Sequence, residues 1–180
     1  KSYFETSVFS HAKNRFLWLL ILMLSSTITG AIITKYENAF AAIPLLVSFI
    51  PMLMDTGGNC GSQSSTLVIR GLALEEIKFS DIFRVMFKEF RIALLVSAGL
   101  AIANGIRIFI MYHDAKLAIV IGLSLIATII ISKLIGCVLP LFAKKLHLDP
   151  AIMAAPLITT LVDTCSIIIY FSIATKIFAL

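Results

Sequence analysis

The chain has 180 residues, of which 59% are apolar and only 14% charged, with a mean hydropathy of +1.02. Those proportions exclude a disordered chain, a collagen-like repeat and a small disulfide scaffold, and they exceed what a soluble domain needs. The net charge of +5 comes without a basic helix or an aromatic–basic platform, so no nucleic-acid partner is expected; basic residues in cytoplasmic loops account for it. The expectation is an all-α membrane protein, multi-pass in a lipid bilayer.

Residues 1–15, KSYFETSVFSHAKNR, are polar and mixed. The apolar run behind them is too long for a signal peptide and has no small-residue cleavage site. The missing initiator Met fits a piece of a longer protein. The first span is expected over 16–34, FLWLLILMLSSTITGAIIT, with Trp18 as an interfacial anchor. The second begins near residue 40 and passes through AFAAIPLLVSFIPMLM into DTGGNCGSQSSTLVIR, ending at Arg70. The third is expected over 92–111, the fourth over 117–141 and the fifth over 150–174. Between spans two and three, GLALEEIKFSDIFRVMFKEFR alternates apolar and charged residues at helical spacing. It reads as an amphipathic helix lying along the cytoplasmic interface.

Five spans put the termini on opposite sides. Ten Lys and Arg fall on the side of the N-terminus and four on the other, with Lys133 inside span four. The positive-inside rule therefore expects a cytoplasmic N-terminus and an outside C-terminus. Cys60, Cys137 and Cys165 are scattered in apolar or small-residue stretches, and His11, His113 and His147 lie near segment ends. Neither set has the spacing of a disulfide framework or a zinc site.

Charges inside a span are costly and usually face a bundle interior or a water-filled path. Asp55, Lys133 and Asp163 qualify. Lys133 is two turns from the end of its span and is expected to snorkel to the interface. Asp163 is the sharpest signal. It lies 13 residues beyond Pro150, or roughly 20 Å of helix rise. Thr159, Asp163, Ser166 and Tyr170 repeat at helical spacing, so one polar stripe runs along an apolar helix. A cation path requires such a stripe; a protonated Asp bonded between packed helices is the structural alternative.

Span two carries the second signal. Pro44, Pro51, Gly57, Gly58 and Gly61 disfavour a plain helix, while Asp55, Thr56, Asn59, Ser62, Gln63 and Thr66 supply oxygens and amides. Irregular or polar backbone at membrane depth lines a cavity or is buried in protein. Close helix packing explains the glycines but not the density of polar groups. Asp55 is 15 residues before Arg70, roughly 22 Å if helical, so it shares the depth of Asp163. Oxygen donors without a thiol–imidazole set select hard cations such as Mg²⁺, Ca²⁺ and Mn²⁺. No GxSxG, HExxH or Walker loop is present, so no enzyme is expected. The weak alternative is an intramembrane diaspartyl protease, resting on Asp-Thr-Gly at 55–57 together with Asp163.

The stretch PMLMDTGGNCGSQSSTLVIRGLAL over 51–74 resembles the signature of the MgtE family of magnesium channels and transporters. So does LDPAIMAAPLITTLVDTCSIIIYFSIA over 148–174. The resemblance implies a homodimer with a pore along its two-fold axis, built from spans two and five. It implies Mg²⁺ as the transported ion, held largely hydrated by the paired Asp163 carboxylates. A second metal position falls on Asp149, and Gly58, Asn59, Ser62 and Thr66 fall where the family's second span lines the pore. Asp149 before Pro150 is equally the ordinary start of a helix. The resemblance makes 1–15 the end of a cytosolic connecting helix and 16–180 the pore domain, with the family's cytosolic sensor domains outside this chain. Ser62 and Ala155 depart from polar residues the family often has there, which leaves selectivity open. A broader carrier for Mn²⁺ or Co²⁺ is the alternative within transport.

Overall fold

The computed structural model describes residues 2–180, apart from the side chains of residues 152–154. Among the described residues every regular element is a helix. Lipid offers no water to backbone amides, and a helix satisfies them within one segment.

Helix α1 (Val8–Lys35) starts where Ser7 accepts a bond from the Ser10 amide at 3.2 Å. It is one rod of 28 residues, in which residues 8–15 run on into the expected first span. Residues 2–7 are non-helical, and Lys1 lies outside the described residues. Only Thr29 of α1 is buried.

The second span differs from its expected course. Two short pieces, α2 (Glu37–Ala42) and α3 (Leu45–Ser48), precede α4 (Ile50–Ala73). Pro44 forces the break, because it holds the preceding Ile43 out of the helical region at φ −135° and ψ 83°. Pro51 sits in the first turn of α4, where its missing N–H costs nothing. From there α4 runs through Gly57, Gly58 and Gly61 without interruption. The irregular backbone expected there is absent.

The expected interfacial helix over 71–91 is also not a separate element. Glu75 takes a left-handed φ of 59°, and the amides of Glu76 and Ile77 return to the Gly71 carbonyl at 2.9 and 3.1 Å. Ile77 folds over Gly71, where a Cβ would strike its side chain. After a single 3₁₀ turn (Phe79–Asp81), Ile82 opens α5 (Ile82–Tyr112), which continues straight through the third span. Val85 and Met86, on the segment expected to lie along the interface, pack on Val68, Leu72, Cys137 and Leu141.

His113 ends α5 with a φ of 50°, and Asp114 caps α6 (Ala115–Lys145) by accepting from the Leu117 amide at 3.1 Å. His147, at a φ of 60°, follows α6. Asp149 then caps α7 (Pro150–Ile177), accepting from the Ala151 amide at 2.9 Å.

Helix α6 is the centre of the bundle and packs on α4, α5 and α7. Ser124, Thr128, Ser132 and Gly136 recur at every fourth position along it, which lets backbones approach. A Cβ on Gly57 would meet Val162 Cγ1 at 2.7 Å and Thr128 Cγ2 at 2.9 Å; on Gly61 it would meet Ile158 Cγ2 at 2.8 Å. A Cβ on Gly136 would strike the Gly61 backbone itself. These glycines therefore serve a tight α4–α6–α7 contact. At one end of the bundle, the buried Tyr170 hydroxyl donates to the Leu46 carbonyl at 2.6 Å and ties α3 to α7.

Among the described residues four helices are long and apolar enough to cross a membrane: Val8–Lys35, Phe79–Tyr112, Ala115–Lys145 and Ala155–Ile177. Helix α4 has 24 residues, about 36 Å of rise and so sufficient length, but its polar content sets it apart from these four.

Candidate functional site

The two faces of α4 divide by chemistry. Gly57, Cys60, Gly61, Ser64 and Val68 are buried against the bundle. Asp55, Asn59, Ser62 and Thr66, spaced by one helical turn, are exposed, and Gly58 beside them is half-buried with nothing near its missing Cβ. A continuous polar face on a helix packed among membrane-length apolar helices does not suit lipid.

Asp163 is half-buried on α7 and makes no hydrogen bond among the described residues. It lines a cleft of about 360 Å³ between α1, α4 and α7, together with Thr159, Thr160 and the α1 residues Ser25, Ser26 and Thr29. The Thr29 and Thr164 hydroxyls meet at 3.3 Å and pin α1 to α7. The expected stripe on α7 thus splits. Thr159 is exposed and Asp163 half-buried, whereas Ser166 and Tyr170 turn into the core. Tyr170 is a structural link to α3, not part of an open path.

Asp149 stands apart from Asp163, at the start of α7. It is exposed, one carboxylate oxygen is engaged in the cap, and its neighbours around a shallow cleft are Lys144, His147, Leu148 and Pro150.

Asn59, Ser62 and Thr66 do not share the Asp163 cleft. They line a second one, about 700 Å³, between α4, α5 and α6. Two further charges line it: Glu89, 7% exposed, and Lys133, 5% exposed. Lys133 therefore does not snorkel; it is held among helices, on the side of α6 that faces α4 and α5. Glu89 escaped sequence reasoning altogether. Its flanking Lys88 and Arg91 gave it the look of an interfacial charge. The four-residue repeat of small residues in α6 was the signal that α6 is central. The hydroxyls Ser25, Ser26 and Thr29, inside an apolar span, were the signal that α1 borders a polar cleft.

A sequence profile of the MgtE family, described as a divalent cation transporter, matches residues 50–173. The chain is 40% identical over 96% of its length to a magnesium transporter MgtE of Bacillus subtilis, covering 38% of that protein. It is 36% identical over 89% of its length to one of Thermus thermophilus, covering 35% of it, and 33% identical over 91% to one of Enterococcus faecalis, covering 36%. The chain thus spans little more than a third of the relatives it matches. All three relatives are named as transporters, and the protease reading of Asp-Thr-Gly finds no support among them. With a family profile over more than two thirds of its length and relatives aligned across nearly all of it, the chain belongs to the MgtE family.

Proposed function

We propose that this chain forms a magnesium-conducting pore at the interface of a homodimer. The observation that carries the reading is the exposed polar face of α4, Asp55, Asn59, Ser62 and Thr66, on a helix long enough to cross the bilayer. Lipid is a poor neighbour for that face, and a second copy facing it across a water-filled path satisfies it. Helix α4 is then the fifth crossing, with the N-terminus cytoplasmic and the C-terminus outside. Asp163 and its symmetry mate hold one largely hydrated Mg²⁺, a mode that suits an ion that sheds its waters reluctantly. Thr159 and Gly58 border the path. Asp149 offers its second carboxylate oxygen to an ion at the cytoplasmic mouth.

The relatives' names favour Mg²⁺, while the family description as a divalent cation transporter keeps Mn²⁺ and Co²⁺ as the second reading. The test is uptake into liposomes holding a Mg²⁺-sensitive dye, with competition by Mn²⁺ and Co²⁺. Mg²⁺ uptake that Asp163→Asn abolishes is expected. Absence of uptake by the wild-type chain, or full uptake by folded Asp163→Asn, overturns the reading.

A further inference from the structure

Ser64, Glu89 and Lys133 form a single polar layer in the packing of α4, α5 and α6. One turn to one side, the same three helices contribute Cys60, Ala93 and Ile129, all buried and in one apolar cluster. One turn to the other side they contribute Val68, Val85 and Cys137, again in one apolar cluster. Each triplet differs from the polar one by four residues on every helix, so the register is shared. The polar layer is thus a specific insertion into an otherwise apolar stack, and it is the level at which the second cleft opens.

Within the layer the bonding is incomplete. Glu89 accepts from the Ser64 hydroxyl at 2.9 Å. Lys133 lines the same cleft, yet it makes no hydrogen bond and no ion pair among the described residues, where the single salt bridge is Arg84–Asp81. A charge held between helices is costly unless it faces an opposite charge or a wet cleft. Glu89 is the one carboxylate lining the cleft. The same cleft is lined by Ser64, Asn59, Gln63 and Ser62, which all carry side-chain oxygens. Carboxylate, hydroxyl and amide oxygens are the ligand set of a hard divalent cation.

We propose that Lys133 is a tethered counter-charge beside a latent divalent-cation site built by Glu89, Ser64 and Gln63, so that this cleft, which Asn59 and Ser62 border, does not trap the ion that passes along the same face of α4. The α4–α5–α6 cleft is thereby neutral overall, and the uncompensated carboxylates of the membrane region are Asp55 and Asp163. The inference rests on the proposed function only for the class of ion; the site itself is tested without transport.

The probe is Mn²⁺, counted by electron paramagnetic resonance on the detergent-purified chain. Lys133→Met is expected to bind one Mn²⁺ per chain more than wild type, and Lys133→Met/Glu89→Gln to lose that extra ion. Lys133→Gln, which keeps a polar head, is the second variant should Lys133→Met not purify as a single species, with the same expectation. Glu89→Gln alone leaves Lys133 without its counter-charge and is expected to lower the melting temperature, with recovery when Lys133→Met is added. Unchanged Mn²⁺ stoichiometry in both Lys133 variants overturns the proposal, as does an extra ion that persists after Glu89→Gln. Wild-type liposomes that take up no Mg²⁺ overturn the transport reading and leave the Mn²⁺ count to decide this one.

Discussion

Ser64 of α4 donates its hydroxyl to the Glu89 carboxylate of α5 at 2.9 Å, inside a helix contact where Glu89 is the one buried acidic side chain among the described residues. The bond explains why α5 continues inward from Ile82 and does not lie flat on the interface. A carboxylate drawn between helices fixes the rotation of the helix that carries it. Ser64→Ala removes the donor and keeps the volume nearly constant. It is expected to cost about 1–3 kcal/mol, the penalty of leaving a buried acceptor unpaired. Thermal melting in detergent, compared with the exposed control Ser62→Ala, measures it; equal melting temperatures contradict the role given to the bond.

Asp55 and Asp163 are not equivalent. Asp163 is half-buried and lines the cleft between α1, α4 and α7, whereas Asp55 is exposed on α4 and does not line it. Asp163→Asn is expected to lower Mg²⁺ uptake by more than about a hundredfold, consistent with loss of the one charge that faces the ion. Asp55→Asn is expected to stay within about threefold of wild type, since Asp55 borders the path outside the cleft that Asp163 lines. Stopped-flow uptake into liposomes ranks them, and a larger loss in Asp55→Asn reverses the assignment.

The glycines of α4 and α6 separate packing from solvent-facing roles. Gly136→Ala forces a methyl into the Gly61 backbone, which has no side chain to move aside. A loss of about 1–3 kcal/mol is expected, the usual cost of overpacking. Gly58→Ala meets nothing within 4 Å and is expected to gain about 0.5–1 kcal/mol from helix propensity. Opposite shifts in melting temperature are the expected readout; a tolerated Gly136→Ala means that the α4–α6 contact is looser than described.

Asp149 offers a discrimination between cap and ion ligand. Asn caps a helix about as well as Asp, while Ala loses about 1 kcal/mol. Asp149→Asn is therefore expected to melt like wild type and to lose Mn²⁺ at the cytoplasmic mouth. Asp149→Ala is expected to lose both. Unchanged Mn²⁺ binding in Asp149→Asn reduces the residue to its observed bond with the Ala151 amide.

Helix was legible from residues alone wherever apolar runs exceeded the bilayer thickness: α1, α6 and α7 match expected spans, and α5 extends one. Asp163 and the polar content of α4 were legible too, because a carboxylate inside an apolar segment and a run of hydroxyls and amides are local properties of the chain. What escaped was everything that depends on which helix stands next to which. Glu89 and Lys133 look interfacial until α5 and α6 are packed beside α4. Gly57 and Gly61 look like helix breakers until α6 and α7 press against them and the missing Cβ becomes the contact. Ser166 and Tyr170 continue the α7 stripe on paper, yet they lie in the core, because α7 is covered at that level by its neighbours. The sequence by itself determined the membrane class, the helical periodicity and the carboxylate at depth, since hydrophobicity and spacing act along the chain. Only the tertiary structure decided that α4 has one face against protein and one open, and that a second pair of charges lies beside it, because burial is set by neighbours that no single segment encodes.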